Sequence, residues 1–329
     1  MNTKYRWLVT GGAGFIGSHL AEYLYNNGQY VRVLDDFSSG KEENLSFAPN
    51  VGAASGREKN TFDLIRGDIR NKETCLKACD GIDYVLHQAA LRSVPKSMSR
   101  PHEYNAVNID GTINVLDSAL RKGVLRVVLA SSSSIYGDTS KFPQGESDTP
   151  LLISPYALTK LAAEYYSRVY SINHGLETVN LRYFNVFGPR QSLDDEYAVV
   201  IPKFITCMLN DESPPVHGDG TQSRDFTYID NIVQANILSA TAANLKCEVF
   251  NVACGSDNSI LDIVNSVNKI INKDIKPKFE PSRQGDVKRT LANVDKIKRL
   301  TGFQPRVSFE EGLKTTVEWF SNNLLLQKA

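Results

Sequence analysis

Short runs of apolar and β-branched residues recur through the first half of the chain, at 6–9, 30–34, 63–66, 84–88, 126–131 and 177–182. Each run predicts a strand. Between them lie stretches with helical periodicity, notably 15–26, 103–121 and 155–173. Strands alternating with helices predict a parallel sheet covered on both faces, an α/β fold. The segment 47–61 has loop composition and reads as an insertion before the third strand. Beyond residue 183 the alternation weakens, and Gly188-Pro189, Pro214-Pro215 and Gly218-Asp219-Gly220 punctuate the chain. A helix near 230–243 and a strand at 248–252 are placed to return to the sheet. The pattern therefore divides the chain into a larger domain, 1–183 plus 223–254, and a smaller α/β domain, 184–222 plus 255–329. No internal repeat and no low-complexity tract interrupts it.

Composition narrows the function classes. A chain of 329 residues is long enough for a sizeable core and for two domains. Its 37 basic and 37 acidic residues balance, so no overall field favours nucleic acid or an anionic membrane. No apolar run approaches the ~18 residues that span a bilayer. Strand-like sequence begins at Tyr5, leaving no room for a signal peptide, and a cytoplasmic protein is expected. Five cysteines, at 75, 79, 207, 247 and 254, are odd in number and scattered, as reduced thiols would be. Cys75 and Cys79 share a helix face, but no second ligand pair accompanies them and the histidines are dispersed, so no metal is expected.

The first strand runs into Gly11-Gly12-Ala13-Gly14-Phe15-Ile16-Gly17-Ser18. Glycines at 11, 14 and 17 permit a tight turn, close approach of backbone to a pyrophosphate, and close packing of the following helix, whose N-terminal amides attract phosphate. Asp35 stands 18 residues after Gly17, at the end of the second strand, where an acidic side chain meets a ribose 2′-hydroxyl. This context marks a dinucleotide-binding, Rossmann-type doubly wound sheet. A carboxylate at Asp35 repels a 2′-phosphate and favours NAD, although Arg32 and Lys41 lie near enough in sequence to serve the phosphorylated form. Asp68 and Ile69, after the third strand, are placed to bracket the adenine. The fourth strand ends in His87-Gln88-Ala89-Ala90, with small residues where a cofactor passes; His87 itself reads as a satisfied core histidine. Asn105 or Asn108 is placed to orient water or backbone near Lys160.

Two later stretches carry the chemistry. Ser131-Ser132-Ser133-Ser134-Ile135-Tyr136-Gly137 lies at the carboxyl end of the fifth strand, where α/β sheets hold their ligands. Some twenty residues on, Ser154 caps a helix, Pro155 suits its first turn, and Tyr156 and Lys160 fall one turn apart on one face. A phenol titrates near ~10, and bringing it to ~7 takes roughly 4 kcal/mol. One cation about 5 Å away supplies roughly 3 kcal/mol at an effective dielectric near 20. Lys160 with a second positive charge, such as an oxidised nicotinamide, makes Tyr156 a usable base. A serine hydroxyl between Tyr156 and a sugar hydroxyl can pass the proton.

These residues, together with Tyr183-Phe184-Asn185-Val186-Phe187-Gly188-Pro189-Arg190, Gly218-Asp219-Gly220 and Ser223-Arg224-Asp225-Phe226, resemble the extended short-chain dehydrogenase/reductase family over nearly the whole chain. Within it the chain looks most like the UDP-sugar 4-epimerases. Leu86-His87-Gln88-Ala89-Ala90, Ser93-Val94-Pro95 and Ala198-Val199-Val200-Ile201-Pro202-Lys203 resemble the branch acting on UDP-N-acetylglucosamine or its uronic acid. The resemblance implies an NAD-dependent isomerase in which Tyr156, Lys160, Ser132, Ser133 and Ser134 are catalytic. It adds Phe15, Ile16, Asp36, Ser38, Gly40, Asn108, Tyr183 and Val186 to the cofactor site. It places Ser93, Ser134, Tyr156, Asn185, Val199, Val200, Lys203, Arg224, Arg283, Asp286 and Thr290 around the UDP-sugar. Arginines 224 and 283 suit the charge-assisted bonds a diphosphate accepts.

Family dehydratases and decarboxylases carry carboxylates where Ser133 and Ser134 stand, so epimerisation, which needs no such acid, is preferred. The small Thr290 leaves room for an N-acetyl group. Arg92, beside Ser93, either reads a carboxylate on carbon 6, which would make the substrate a UDP-uronic acid, or faces solvent. By the same analogy two copies pair through the 103–121 and 155–173 helices as a homodimer.

Overall fold

A computed structural model describes residues 3–48, 61–193, 200–282 and 287–328. Seven strands form one parallel sheet: β1 (Arg6–Thr10), β2 (Tyr30–Asp35), β3 (Phe62–Arg66), β4 (Tyr84–His87), β5 (Arg126–Ser132), β6 (Glu177–Tyr183) and β11 (Cys247–Val252). Their order is β11-β6-β5-β4-β1-β2-β3, so the chain reverses direction across the sheet between β1 and β4. Every pair is parallel. This is the doubly wound Rossmann-type architecture, in which ligands lie beyond the carboxyl ends of the strands at the reversal point.

Side chains alternate across the pleat, and each strand therefore feeds two cores. Trp7, Val9, Val31, Val33, Leu86 and Val128 join α1 (Phe15–Asn26) and the later α8 (Ile229–Thr241) on one face. Leu8, Leu34, Val85, Val127 and Leu129 meet α2 (Lys72–Ala78) and α5 (Gly111–Arg121) on the other. The helix bearing the Tyr-Lys pair, α6 (Pro155–His174), starts as its sequence implies. The Ser154 hydroxyl accepts from the Ala157 amide at 3.2 Å, and Gly175 ends the helix with φ 74°.

The helix expected over 103–121 is present and carries a π turn. After a short α3 (Val94–Ser99), α4 (Pro101–Asn105) continues through a π-helical turn, Ala106–Asp110, into α5. A π turn inserts one residue into the ladder and rotates its side chains. Here it turns Asn108 inward while Asn105 stays exposed. The reading of 47–61 as an insertion falls largely on residues outside those described.

After β6 the chain makes three small sheets. β7 (Val186–Phe187) pairs with β10 (Thr227–Tyr228), β9 (Ser223–Arg224) with β12 (Asn258–Ser259), and β8 (Pro215–His217) with β13 (Lys278–Glu280). Helices α7 (Val200–Leu209), α9 (Ile260–Ile271), α10 (Asp295–Thr301) and α11 (Phe309–Lys328) surround them. Phe187 is the hinge of this packing, with the rings of Phe226, Tyr228 and Phe309 centred 5.6–6.4 Å from its own. Among the described residues, no helix is long and apolar enough to cross a membrane and no histidine, cysteine and carboxylate cluster would hold a metal. All five cysteines are free thiols, and burial pushes Cys75 and Cys79 up to about 12.

Candidate active site

The glycine-rich turn joins β1 to α1 at the reversal point. Gly11 adopts φ 66°, and a Cβ there would lie 2.7 Å from the Ala89 amide nitrogen. At Gly17 a Cβ would lie 2.1 Å from the Gly11 carbonyl oxygen, so the first turn of α1 sits directly on the loop. Gly14 opens the helix as its N-cap, and Phe15 is buried behind it with Ile16 half-buried. Asp35 braces this loop. Its two oxygens accept from the Ala13 and Phe37 amides at 2.8 Å each. Burial pushes the Asp35 carboxyl up and those two amides pull it back. Each oxygen keeps a second lone pair, which is what a ribose hydroxyl needs. Asp36 turns the chain by accepting from the Ser38 amide at 2.9 Å and its hydroxyl at 2.6 Å. Gly40 passes so close that a Cβ would meet Ala13 and Asp35 at 2.8 Å.

Of the two cations placed to serve a 2′-phosphate, Arg32 is committed elsewhere and Lys41 stays half-exposed. Arg32 bonds Asp63 at 2.8 Å and the carbonyls of Ala78 and Asp80, and Lys41 lies 3.8 Å from Glu43. Asp68 is held by Arg70, whose guanidinium keeps its carboxyl below the usual range. Ile69 is buried against Gly111 in the second core. Gln88 receives a bond from the Tyr183 hydroxyl at 3.2 Å and donates to Asn236 at 3.2 Å. Asn236 also donates to Tyr183 at 2.8 Å, making a three-member polar cluster beside Ala89 and Ala90. Asn236 escaped the sequence reading because nothing distinguishes it within an amphipathic helix. His87 is the core histidine expected, bonded to Thr10 at 2.7 Å and Thr112 at 3.0 Å and lowered to about 3 by burial.

Tyr156 and Lys160 are both buried, 9 % and 8 % exposed, and Lys160 Nζ stands 5.9 Å from the centroid of the Tyr156 ring. The ammonium donates to the Ala130 carbonyl at 2.8 Å, and burial lowers it to about 8. Burial pushes the Tyr156 phenol up. Its hydrogen bond with Ser132 and the charge of Arg92 oppose that. Ser132 Oγ lies 2.7 Å from Ser134 Oγ and also caps the short turn Ser133–Tyr136, where Ser133 is half-buried. A phenol and two hydroxyls therefore form one chain, with the Lys160 ammonium beside the phenol ring but bonded to the strand. Asn108 orients its surroundings rather than Lys160 itself: it accepts from the Leu91 amide at 2.8 Å and donates to Thr159 at 3.0 Å.

The residues expected around the sugar nucleotide come together in part. Ser93 caps α3, accepting from the Lys96 amide at 3.3 Å. Thr290 donates to Asn185 at 3.4 Å and accepts from the Asp225 amide, next to Arg224 on β9. Val186 lies in β7, and Val200 begins α7 with Lys203 exposed one turn on. Val199, Arg283 and Asp286 lie outside the described residues.

Comparison with known proteins identifies the assembly. The chain belongs to the NAD dependent epimerase/dehydratase family, whose model matches residues 7–253. The enzyme is similar to the structure of UDP-N-acetylglucosamine 4-epimerase from Methanobrevibacter ruminantium M1 in complex with UDP-N-acetylmuramic acid. That likeness has a TM-score of 0.90 and 39 % identity over 98 % of this chain and 99 % of the other. UDP-glucuronate 4-epimerase of Thermodesulfobacterium geofontis is 36 % identical over 98 % of each chain. UDP-N-acetyl-alpha-D-glucosaminuronate decarboxylase of Bacillus cytotoxicus is 34 % identical over 96 % of this chain and 98 % of its own. NAD is the family's cofactor, and the glycine cradle and the carboxylate at Asp35 fit it.

The Gly17 contact gives a direct test. Gly17→Ala should push the loop off α1 and lower the NAD bound per purified chain at least about tenfold by absorbance after denaturation, given close packing that yields only by tenths of an ångström. Full NAD content would remove the loop from the cofactor site.

Proposed function

We propose that the enzyme interconverts UDP-N-acetylglucosamine and UDP-N-acetylgalactosamine through a 4-keto sugar. The observation that carries this is the bonded set Tyr156, Ser132 and Ser134 at the sheet's carboxyl edge, with Lys160 5.9 Å from the Tyr156 ring centroid and hydroxyls at Ser133 and Ser134. Tyr156 takes the proton of the sugar 4-hydroxyl, directly or through Ser132 or Ser134, and gives it back after the ketone has turned. NAD, when bound, supplies the hydride acceptor and donor at C4 and a positive ring that favours the phenolate. A cation at the Lys160 distance contributes roughly 3 kcal/mol at an effective dielectric near 20, against the cost of burying the phenolate. By the family likeness, Arg224, Arg283 and Asp286 would serve the diphosphate. Asn185 and Thr290 bound the sugar, and Thr290 leaves space for an acetamido group. Residues 1–183 plus 223–254 form the nucleotide-binding domain in this reading, and 184–222 plus 255–329 hold the sugar.

One observation favours a second substrate. Arg92 is exposed, next to the buried Ser93, and its charge is felt by Tyr156; a carboxylate on carbon 6 would suit a cation there. UDP-glucuronate or its acetamido counterpart is the alternative. The serine loop favours neither dehydration nor decarboxylation.

A second copy of the chain is proposed to cover α6. Leu158, Tyr165, Val169 and Ile172 share one face of that helix and are 48–65 % exposed. Light scattering should give twice the chain mass, and Val169→Glu with Ile172→Glu should halve it. A native monomer would refute the pairing.

Incubation with UDP-glucose, UDP-N-acetylglucosamine and UDP-glucuronate, without added NAD, should give only C4 epimers, fastest for the acetamido sugar. Tyr156→Phe should cut turnover by at least about 10³, the loss of general acid–base catalysis with part of its electrostatic setting. Released CO₂, a 4-keto-6-deoxy product or a fully active Tyr156→Phe protein would overturn the reading. The pH profile has a defined sign. Lys160 is a base whose folded value is depressed to about 8, so its charge, and its support of the phenolate, is lost as pH rises through 8. Turnover should fall on that alkaline limb, and Lys160→Met should abolish the limb along with most of the rate.

A further inference from the structure

Helix α6 is tied to β5 by two successive rungs. Lys160 Nζ donates to the Ala130 carbonyl at 2.8 Å, and one turn on, the Ser131 hydroxyl donates to Glu164 Oε1 at 2.5 Å. Neighbouring residues of the strand thus hold neighbouring turns of the helix. Behind the second rung stands Arg182, which is the register partner of Ser131 on β6. It meets Glu164 in a fork, Nε to Oε1 at 2.9 Å and Nη2 to Oε2 at 2.8 Å, and both side chains are 5 % exposed. Arg182 in turn has Asn251 as its register partner on β11. The Tyr136 hydroxyl joins them, accepting from Arg182 at 2.9 Å and donating to Asn251 at 2.6 Å. Asn251 donates to the carbonyls of Gln144 and Asn293 at 2.9 and 3.1 Å, three residues from Thr290.

A single polar row, Ser131, Arg182 and Asn251, therefore crosses three parallel strands and runs from the Lys160 turn to the segment that carries Thr290. Stability does not account for it. A buried ion pair roughly breaks even against apolar residues of the same volume, whereas it fixes geometry through its directional bonds. The row also sits one residue below Ser132 and Tyr183, which are themselves register partners at the edge of the site.

We propose that Glu164 and Arg182 are positioning residues: they hold the Lys160 turn of α6 in register with Ser132, and through Tyr136 and Asn251 they key that register to the Thr290 segment. The proposal rests on the epimerase reading, and wild-type turnover of UDP-sugars is measured first; if it is absent, that reading fails and the variants are not needed to show it. With an active wild type, Glu164→Gln keeps the shape of the side chain and removes its charge. The amide can still accept at Oε1 but turns a donor toward Arg182 Nη2, so the fork breaks and the second rung loosens. Lys160 then shifts by fractions of an ångström, and since a 1 Å displacement can cost ~10², kcat should fall about tenfold with KM within about twofold, per folded, NAD-loaded chain. Ser131→Ala cuts the same rung without stranding a charge and should lower kcat about threefold with KM again held. Tyr136→Phe severs the row midway and should raise KM for the nucleotide sugar several-fold. If Glu164→Gln does not fold, Ser131→Ala and Tyr136→Phe decide. A merely structural row would lower the melting temperature and leave kcat and KM unchanged in every folded variant, and that result would overturn the proposal.

Discussion

Burying an ammonium ion beside a phenol is the constraint on which the rest of this structure depends. Water strongly favours the charged lysine and the neutral tyrosine keeps its proton more firmly out of water, so both groups move away from their ordinary values when enclosed. Lys160 keeps its charge at neutral pH because the Ala130 carbonyl accepts from it and because burial lowers it only to about 8. Tyr156 is held the other way, above its ordinary value. In the proposed reaction, the further positive charge of an oxidised nicotinamide would favour the phenolate and so couple proton transfer to the bound cofactor.

The fold supplies the two things such a site requires, a rigid wall and an open edge. The wall is the row of strands β4, β5 and β6, paired in continuous parallel register, so that Ala130, Ser131 and Ser132 emerge at fixed spacing. The edge is the reversal between β1 and β4, where the glycine turn at Gly11 packs onto Ala89. The polar cluster of Gln88, Tyr183 and Asn236 lines the same crevice from the other face, and its bonds close on one another. These bonds fix the orientation of the groups, which suits a reaction whose catalytic power lies in orientation.

Much of this was legible in residue order. The glycine spacing, the acid at the end of the second strand, the serine loop and the helix opening Ser154-Pro155-Tyr156 each depend on local geometry: a turn that only glycine fits, a cap, one helical rung. Local rules of that kind operate over a few residues and survive folding unchanged. The helix read over 103–121 is present, and only its π turn at Ala106–Asp110 had no local signal, since that turn serves Asn108, which satisfies the Leu91 backbone and Thr159. Asn236, Glu164 and Asn251 carried no signal at all, being ordinary polar residues until the sheet brought their partners to them.

The sequence by itself determined the parallel sheet, the nucleotide turn and the placing of Tyr156 and Lys160 on one helix face, because periodicity and spacing dictate which side chains share a face. Only the tertiary structure decided how those residues are held. Asp35 proved to brace the Ala13 loop, Arg32 turned away to Asp63, and Ser131, Arg182 and Asn251 became one row. The physical reason is that register between strands far apart in the chain sets these contacts, and register follows from the packing of both faces of the sheet at once.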